Sequence, residues 1–199
     1  MKISFSFWML MGFLPLTGFS QLPEKAEDAV PLKVGEVVPS LVLTSVSGES
    51  VPLTKIFKEK PTILIFYRGG WCPYCNQHLA EMASYEEAIL EMGYQIVAVS
   101  PDSPENLGKT MDKDEINYTL LSDSRGELIK AMGIAYQATF LYESIRSKGA
   151  TGEKLDLLPV PSLFVVDQNG VIQYEHVDPD YKVRMSGEEL MNILRHLKP

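Results

Sequence analysis

Two stretches dominated by apolar and aromatic side chains, residues 62–67 and 94–100, stand out in the hydrophobic pattern. Short runs of this kind, without regular polar alternation, are typical of central strands that are covered on both faces. After the first run, apolar residues recur at helical spacing from Cys72 to about Met92, and Gly93 ends the helix. This order of strand, helix and strand predicts a parallel βαβ core.

The rest of the pattern adds elements on both sides of this core. It predicts helices over residues 104–115, 124–135 and 186–197, and strands over residues 41–44, 118–121, 162–166 and 171–176, with another short strand around Val51. Asn169-Gly170 joins the last two strands as a hairpin. Residues 137–156 have weak periodicity and are interpreted as an insertion. The expected architecture is α/β, a central mixed sheet flanked by helices, with an N-terminal β-hairpin extension.

The first twenty residues differ from the rest of the chain. Lys2 is their only charged residue, and the apolar run over residues 5–16 is too short to span a bilayer. Small residues, Gly18 and Ser20, precede Gln21 at the spacing that a signal peptidase requires. We therefore predict a signal peptide over 1–20, a flexible leader over 21–33 and one domain over 34–199. The alternative is a buried N-terminal helix.

Composition and charge narrow the classes of function. The 199 residues are 45% hydrophobic and 22% charged, which suits one globular domain. A net charge of -8 without a basic cluster argues against nucleic acid or an anionic membrane surface as a partner. The two cysteines stand too close in sequence to stabilise the fold by closing a long loop. Redox chemistry or metal binding therefore remains as the reason for the pair.

Cys72 and Cys75 open the helix that follows the first central strand. Loops at the carboxyl ends of parallel strands gather into functional sites. Free backbone N–H groups and the helix dipole stabilise a thiolate there, so we expect a low pKa for Cys72. Pro73 suits the first helical position, and Cys75 lies one turn on, within reach of a disulfide. The pair therefore indicates thiol–disulfide chemistry.

A metal site is the alternative use of these cysteines. His78 extends the pattern to three possible zinc ligands, but a structural site needs a fourth, and the sequence places neither His176 nor His196 nearby. Asn76 rather than a histidine follows Cys75, so covalent haem attachment is not indicated. We therefore predict that the protein uses no metal and no cofactor.

The residues around Cys72 and Cys75 resemble those of a known protein family. Residues 66–75, Phe-Tyr-Arg-Gly-Gly-Trp-Cys-Pro-Tyr-Cys, resemble the active-site segment of the peroxiredoxin-like branch of the AhpC/TSA family. Residues 160–170 are similar to the cis-proline strand of the same superfamily, and the likeness extends over residues 34–197. It implies a thioredoxin-like fold, an antioxidant thiol oxidoreductase, and a cis peptide at Pro161 beside the cysteines. Trp71 is expected to pack at this site rather than react, and Pro161, Trp71 and Arg68 are the predicted substrate-positioning residues.

The sequence departs from the peroxidases of this family at their helper residues. Against the pattern Pro-x-x-x-Thr-x-x-Cys, the peroxide-attacking position falls on Cys75, the threonine on Cys72 and the proline on Arg68. The arginine that those enzymes place before a late strand falls on Pro161. These replacements favour the dithiol pair as the working unit. Arg68 could supply a guanidinium to a thiolate or a bound peroxide, although a solvated loop position is the more common state of such an arginine.

Three classes of function follow from the pair and the resemblance. The favoured one is a peroxidase that reduces hydroperoxides and takes electrons from a thioredoxin-like donor. The others are an exported reductase of protein disulfides and a binding module that has kept the fold. In the peroxidase cycle that the family pattern implies, Cys75 attacks the peroxide and becomes a sulfenic acid, which Cys72 then resolves. In a reductase, Cys72 attacks the disulfide substrate first and Cys75 resolves the mixed disulfide.

Export to the periplasm or the medium, with no membrane contact after cleavage, is the first testable prediction. N-terminal sequencing of secreted protein should begin at or near Gln21, because the small residues that precede it define the cleavage position. A mature protein that starts at Met1 and stays in the cytoplasm would contradict the prediction.

Overall fold

The computed structural model describes residues 22–138 and 155–197. The predicted signal peptide and most of the predicted insertion lie outside the described residues. Among those described, no helix is both long and apolar enough to cross a bilayer. The strands are β1 Val42–Ser45, β2 Ser50–Pro52, β3 Thr62–Phe66, β4 Gln95–Ser100, β5 Thr119–Ser122, β6 Ala135–Gln137, β7 Leu157–Pro159, β8 Ser162–Val166 and β9 Ile172–Val177. The α-helices are α1 Leu53–Glu59, α2 Pro73–Glu91, α3 Pro104–Asp114, α4 Glu127–Ala131 and α5 Gly187–Leu194.

Seven of these strands form one mixed sheet in the order β2-β1-β5-β4-β3-β8-β9. Strand β3 lies inside the sheet, parallel to β4 and antiparallel to β8, and β4 is parallel to β5. The β1–β2 hairpin extends the sheet at one edge. The predicted α/β architecture, with its mixed sheet and N-terminal hairpin, is confirmed.

The sheet separates two hydrophobic cores, and its inner strand β3 contributes to both, because successive side chains point to opposite faces of the sheet. Ile63 and Ile65 face the core that holds Cys72 and Cys75. Leu64 and Phe66 face the core on the other side of the sheet. All five residues of β3 are buried, which explains its continuous apolar pattern.

Several elements differ from the predicted pattern. Helix α1 was not predicted, because it has only seven residues and directly follows the second strand of the hairpin. Strands β6 and β7 pair with each other in a separate two-stranded sheet, a long-range contact that local patterns do not encode. Helix α4 is shorter than predicted: Gly133, with φ of +70°, leaves the helical conformation soon after its end.

Residues 22–33 pack against the domain instead of standing apart from it. Leu22, Ala26, Ala29 and Leu32 contact the core on the α1 side of the sheet. The backbone N–H of Leu32 donates to the carbonyl of Met132, 3.0 Å away. This part of the predicted leader is therefore in contact with the chain that follows α4.

Gly133 provides a test of this contact. A Cβ at this position would collide with the carbonyl oxygen of Val30, whereas a Cβ at Gly48 would meet nothing within 4 Å. Both glycines have positive φ, so Gly48→Ala should cost about 1 kcal/mol for the backbone conformation alone. Gly133→Ala should lower the free energy of unfolding by about 3 kcal/mol, since the docked segment must also move. Urea denaturation measures both; equal losses would show that the segment does not pack there.

Candidate active site

The cysteine pair lies where the chain passes from β3 into α2. Cys72 is the N-cap of α2, with extended backbone, and Pro73 begins the helix. The carbonyl of Cys72 accepts from the backbone N–H groups of Cys75 and Asn76 at 3.0 and 3.1 Å. The helix therefore starts at the cysteine pair, as predicted, with Cys72 directly before its first turn and Cys75 within it. The pair consequently lies at the end of the helix where free N–H groups favour negative charge.

The loop between β3 and Cys72 is held by one side chain from the loop after β4 and by one from the first turn of α2. The backbone N–H of Gly70 donates to Asp102 at 2.8 Å, and the Asn76 side-chain amide donates to the carbonyl of Gly70 at 2.9 Å. Gly69 has φ of +138°, and a Cβ there would lie 2.5 Å from the indole nitrogen of Trp71. The close approach of Trp71 thus requires glycine at this position. No pattern in the sequence predicted a role for Asp102 or Asn76 in the site.

Both cysteines are free thiols, and they are 2% and 1% exposed. A hydrogen bond from the Cys75 thiol, supported by the backbone N–H of Cys75, lowers the pKa of Cys72 to about 6. The guanidinium groups of Arg68 and Arg184 add to this effect, and burial opposes it. Cys72 is therefore a thiolate at neutral pH, as its place at the helix start predicts.

Cys75 has the opposite character. Its role as the donor to Cys72 raises its pKa well above the ordinary value of a thiol, and burial raises it further. The backbone N–H of Arg68 and the charge of Arg184 oppose the shift without reversing it. The pair therefore holds one proton, which resides on Cys75.

Arg68 is a buried part of the site, so its expected solvated position is wrong. Its side chain is 2% exposed, and its guanidinium carbon lies 5.0 Å from the ring centre of Trp71 and 4.4 Å from that of Tyr181. Both distances are within the range of a cation–π interaction. The rings cover the cation and compensate part of the hydration that it loses.

A distant segment completes the site. Residues 178–186, which we name the 178–186 segment, join β9 to α5. Its Tyr181 ring packs edge-on against Tyr74 at 5.6 Å, and Arg184 Nη2 lies 3.9 Å from Cys75 Sγ. The family likeness in the sequence extends over this stretch but gives none of its residues a role. No local signal connects residues 109 positions apart, so the sequence analysis missed the contact.

The expected cis peptide at Pro161 is wrong, since no peptide bond in the described residues is cis. Strand β7 pairs with β6, and the N–H of Val160 donates to the carbonyl of Ile134. A residue before a proline favours an extended backbone, and this pairing holds the chain up to Val160 without a cis bond at Pro161. Ser162 pairs with Phe66, so side-chain alternation puts Pro161 on the face of the sheet that holds the cysteines.

Metal binding was the alternative use of the cysteine pair. Within residues 22–138 and 155–197, no three His, Cys, Asp or Glu side chains are grouped so that they could hold a metal ion.

The hydrogen bond between the thiols leads to a prediction about their titration. Ultraviolet absorbance of the thiolate in the reduced protein should titrate with a midpoint near pH 6, the pKa of Cys72. Cys75→Ala should raise this midpoint by about 1 unit, because it removes a charge-assisted hydrogen bond. Cys75→Ser keeps an O–H donor and should raise it less. An unchanged midpoint in Cys75→Ala would show that Cys75 does not stabilise the thiolate.

Comparison with known proteins agrees with this geometry. The profile of the AhpC/TSA family matches residues 34–175. Peroxiredoxin Bcp of Escherichia coli strain K12 is 27% identical over 165 residues, covering 83% of this chain and 97% of that protein. The chloroplastic peroxiredoxin Q of Sedum lineare is 26% identical over 164 residues, covering 82% of this chain and 78% of that protein.

Solved structures share the fold. Reduced Prx3 from Vibrio vulnificus, in complex with hydrogen peroxide, superposes with a TM-score of 0.71 at 19% identity, covering 83% of this chain and 97% of that one. Peroxidoxin BcpB from Mycobacterium tuberculosis gives a TM-score of 0.67 at 19% identity, covering 84% and 99%. With the family profile matched from the N-terminal hairpin to β9, this chain belongs to the AhpC/TSA family.

Proposed function

We propose that the protein is a thiol-dependent peroxidase that reduces hydroperoxides with Cys72 and Cys75 as its redox pair. The observation that carries the proposal is the buried pair of free thiols at the start of α2, where Cys72 is the N-cap and a hydrogen bond from Cys75 lowers the pKa of Cys72. Membership of the AhpC/TSA family supports it, as do relatives that are named peroxiredoxins. A peroxidase needs a thiolate to attack the peroxide and a second thiol to remove the oxygen, and the pair supplies both.

In the first step, the Cys72 sulfur attacks one oxygen of the hydroperoxide and the O–O bond breaks. The other oxygen leaves as an alcohol or water after taking up a proton, and Cys72 becomes a sulfenic acid. The guanidinium groups of Arg68 and Arg184 act on Cys72 at the start of this step, where their charge favours the thiolate.

In the second step, the Cys75 sulfur attacks the sulfur of the sulfenic acid. The S–S bond forms, the S–O bond breaks, and the hydroxide leaves as water with the Cys75 proton. A thioredoxin-like dithiol donor then reduces the disulfide, becomes oxidised itself and returns both thiols. We also propose that this cycle runs outside the cytoplasm, on the evidence of the pattern in residues 1–20.

This cycle reverses the roles that the family alignment gives the two cysteines. Two observations support Cys72 as the first nucleophile: it is the N-cap of α2, and its pKa is the lower of the two. Cys75 is protonated and buried, so it would attack a peroxide as a thiol, and thiols are poor nucleophiles.

The burial of the pair favours a small substrate. A protein disulfide must bring one of its sulfurs into contact with the attacking thiolate, and Cys72 is only 2% exposed. Hydrogen peroxide and small organic hydroperoxides need far less room. A reductase of protein disulfides, the second class considered, shares the low pKa of the first cysteine but needs it at the surface.

Two single variants test the proposed cycle. Cys75→Ser should still react with hydrogen peroxide, and a dimedone-type reagent should label the sulfenic acid at Cys72. Cys72→Ser should react more than about tenfold more slowly, because its remaining thiol is protonated at neutral pH. Stopped-flow peroxide consumption and mass spectrometry of the labelled peptide measure both outcomes.

Other results separate the alternatives. Labelling at Cys75 in Cys72→Ser, at the wild-type rate, would restore the roles read from the alignment. Insulin disulfide reduction without peroxide consumption would support the reductase, and neither activity would support the binding module.

A further inference from the structure

Three residues on successive turns of α2 hold the 178–186 segment and the start of α5. Cys75 Sγ lies 3.9 Å from Arg184 Nη2, and His78 Nε2 lies 3.1 Å from the carbonyl oxygen of Met185. Glu81 accepts a hydrogen bond of 2.8 Å from the backbone N–H of Gly187. Residues three apart on a helix share one side of it, so these contacts form a row.

The chemistry of His78 fixes the direction of its hydrogen bond. The side chain is 6% exposed, and burial, together with the charge of Arg184, lowers the pKa of His78 to about 4. The imidazole is therefore neutral at physiological pH. A carbonyl oxygen can only accept, so Nε2 carries the hydrogen and donates it to Met185. This bond holds the backbone next to Arg184.

The charge of Arg184 is directed at Cys75. Its Nη1 donates to the neighbouring carbonyl of Val183 at 2.8 Å, which leaves Nη2 facing the sulfur. None of the ion pairs formed by the described residues involves Arg184. Within the part of the chain that the structure describes, no carboxylate therefore neutralises the guanidinium, and its field acts on the buried thiol.

We propose that Arg184 is a catalytic residue of the second step, in which Cys75 closes the disulfide, and that His78 is the positioning residue that holds Arg184 against Cys75. This inference rests on the proposed peroxidase cycle. Cys75 must become a thiolate to attack Cys72, and once Cys72 is a sulfenic acid its negative charge is gone. The guanidinium of Arg184 then stabilises the thiolate that forms on Cys75, while the released proton combines with the departing hydroxide.

A titration tests the electrostatic part without peroxide. In a Cys72→Ser background, thiolate absorbance reports Cys75 alone. Arg184→Met and His78→Phe should each raise the pKa of Cys75 by about 1 unit, the size of one charge-assisted hydrogen bond. His78→Gln, whose amide reaches the same carbonyl, should restore the lower value. Arg195→Gln is the matched control, since Arg195 is exposed and contacts Asn192, and it should change nothing.

A kinetic experiment in the protein with both cysteines assigns the step. Arg184→Met should lengthen the lifetime of the dimedone-reactive sulfenic acid by about tenfold. It should slow the formation of the sulfenic acid by a smaller factor, because on Cys72 the charge of Arg184 only adds to the hydrogen bond from Cys75. His78→Phe should have a similar effect, and the double variant should be no slower than Arg184→Met alone, because His78 acts through Arg184.

Each failure has a distinct meaning. Unchanged disulfide closure in Arg184→Met would overturn the catalytic role of Arg184, and an added loss in the double variant would overturn the positioning role of His78. If His78→Phe does not fold, His78→Asn, whose amide is too short to reach Met185, takes its place. A wild-type protein that consumes no peroxide would refute the peroxidase, while the titration would still decide whether Arg184 acts on Cys75.

Discussion

The hydrogen bond from the Cys75 thiol to Cys72 is the interaction on which the site depends. Two identical side chains, three residues apart, acquire opposite chemistry because they share one proton. The start of α2 decides which sulfur keeps the charge, since Cys72 occupies the N-cap and Cys75 the first turn. This difference in protonation determines which sulfur can attack and which must first lose a proton.

A buried thiolate is costly unless nearby groups compensate the hydration that it loses. Here the compensation comes from elements that are far apart in sequence. Arg68 arrives on the loop after β3 and is covered by Trp71 and Tyr181. Arg184 arrives on the 178–186 segment, which contacts α2 through His78. The loop after β3 and the 178–186 segment thus meet at the site. The positive charge near the sulfurs depends on how firmly the 178–186 segment is held.

Features encoded locally could be predicted from the sequence. The apolar run of β3, the helical spacing of α2 and the hairpin of β8 and β9 all follow from neighbouring residues, and the structure contains each of them. The pairing of β6 with β7, the burial of Arg68 and the approach of Arg184 to Cys75 depend on contacts between distant residues. A single sequence holds no local pattern for these, so they were missed or wrongly predicted.

The resemblance implies that the family's peroxidases have an arginine where this chain has Pro161. Its replacement shows how the need for positive charge near the sulfurs can be met from another part of the fold. Proline occupies that position here, in a trans peptide, and cannot provide a cation. The need for positive charge near the sulfurs remains, because it comes from the buried thiolate and not from any one strand. Two guanidinium groups meet it, one on the loop before Cys72 and one on the 178–186 segment. The replaced helper residues therefore describe a site with its charges rearranged in sequence, in which the two guanidinium groups add to the hydrogen bond from Cys75 that lowers the pKa of Cys72.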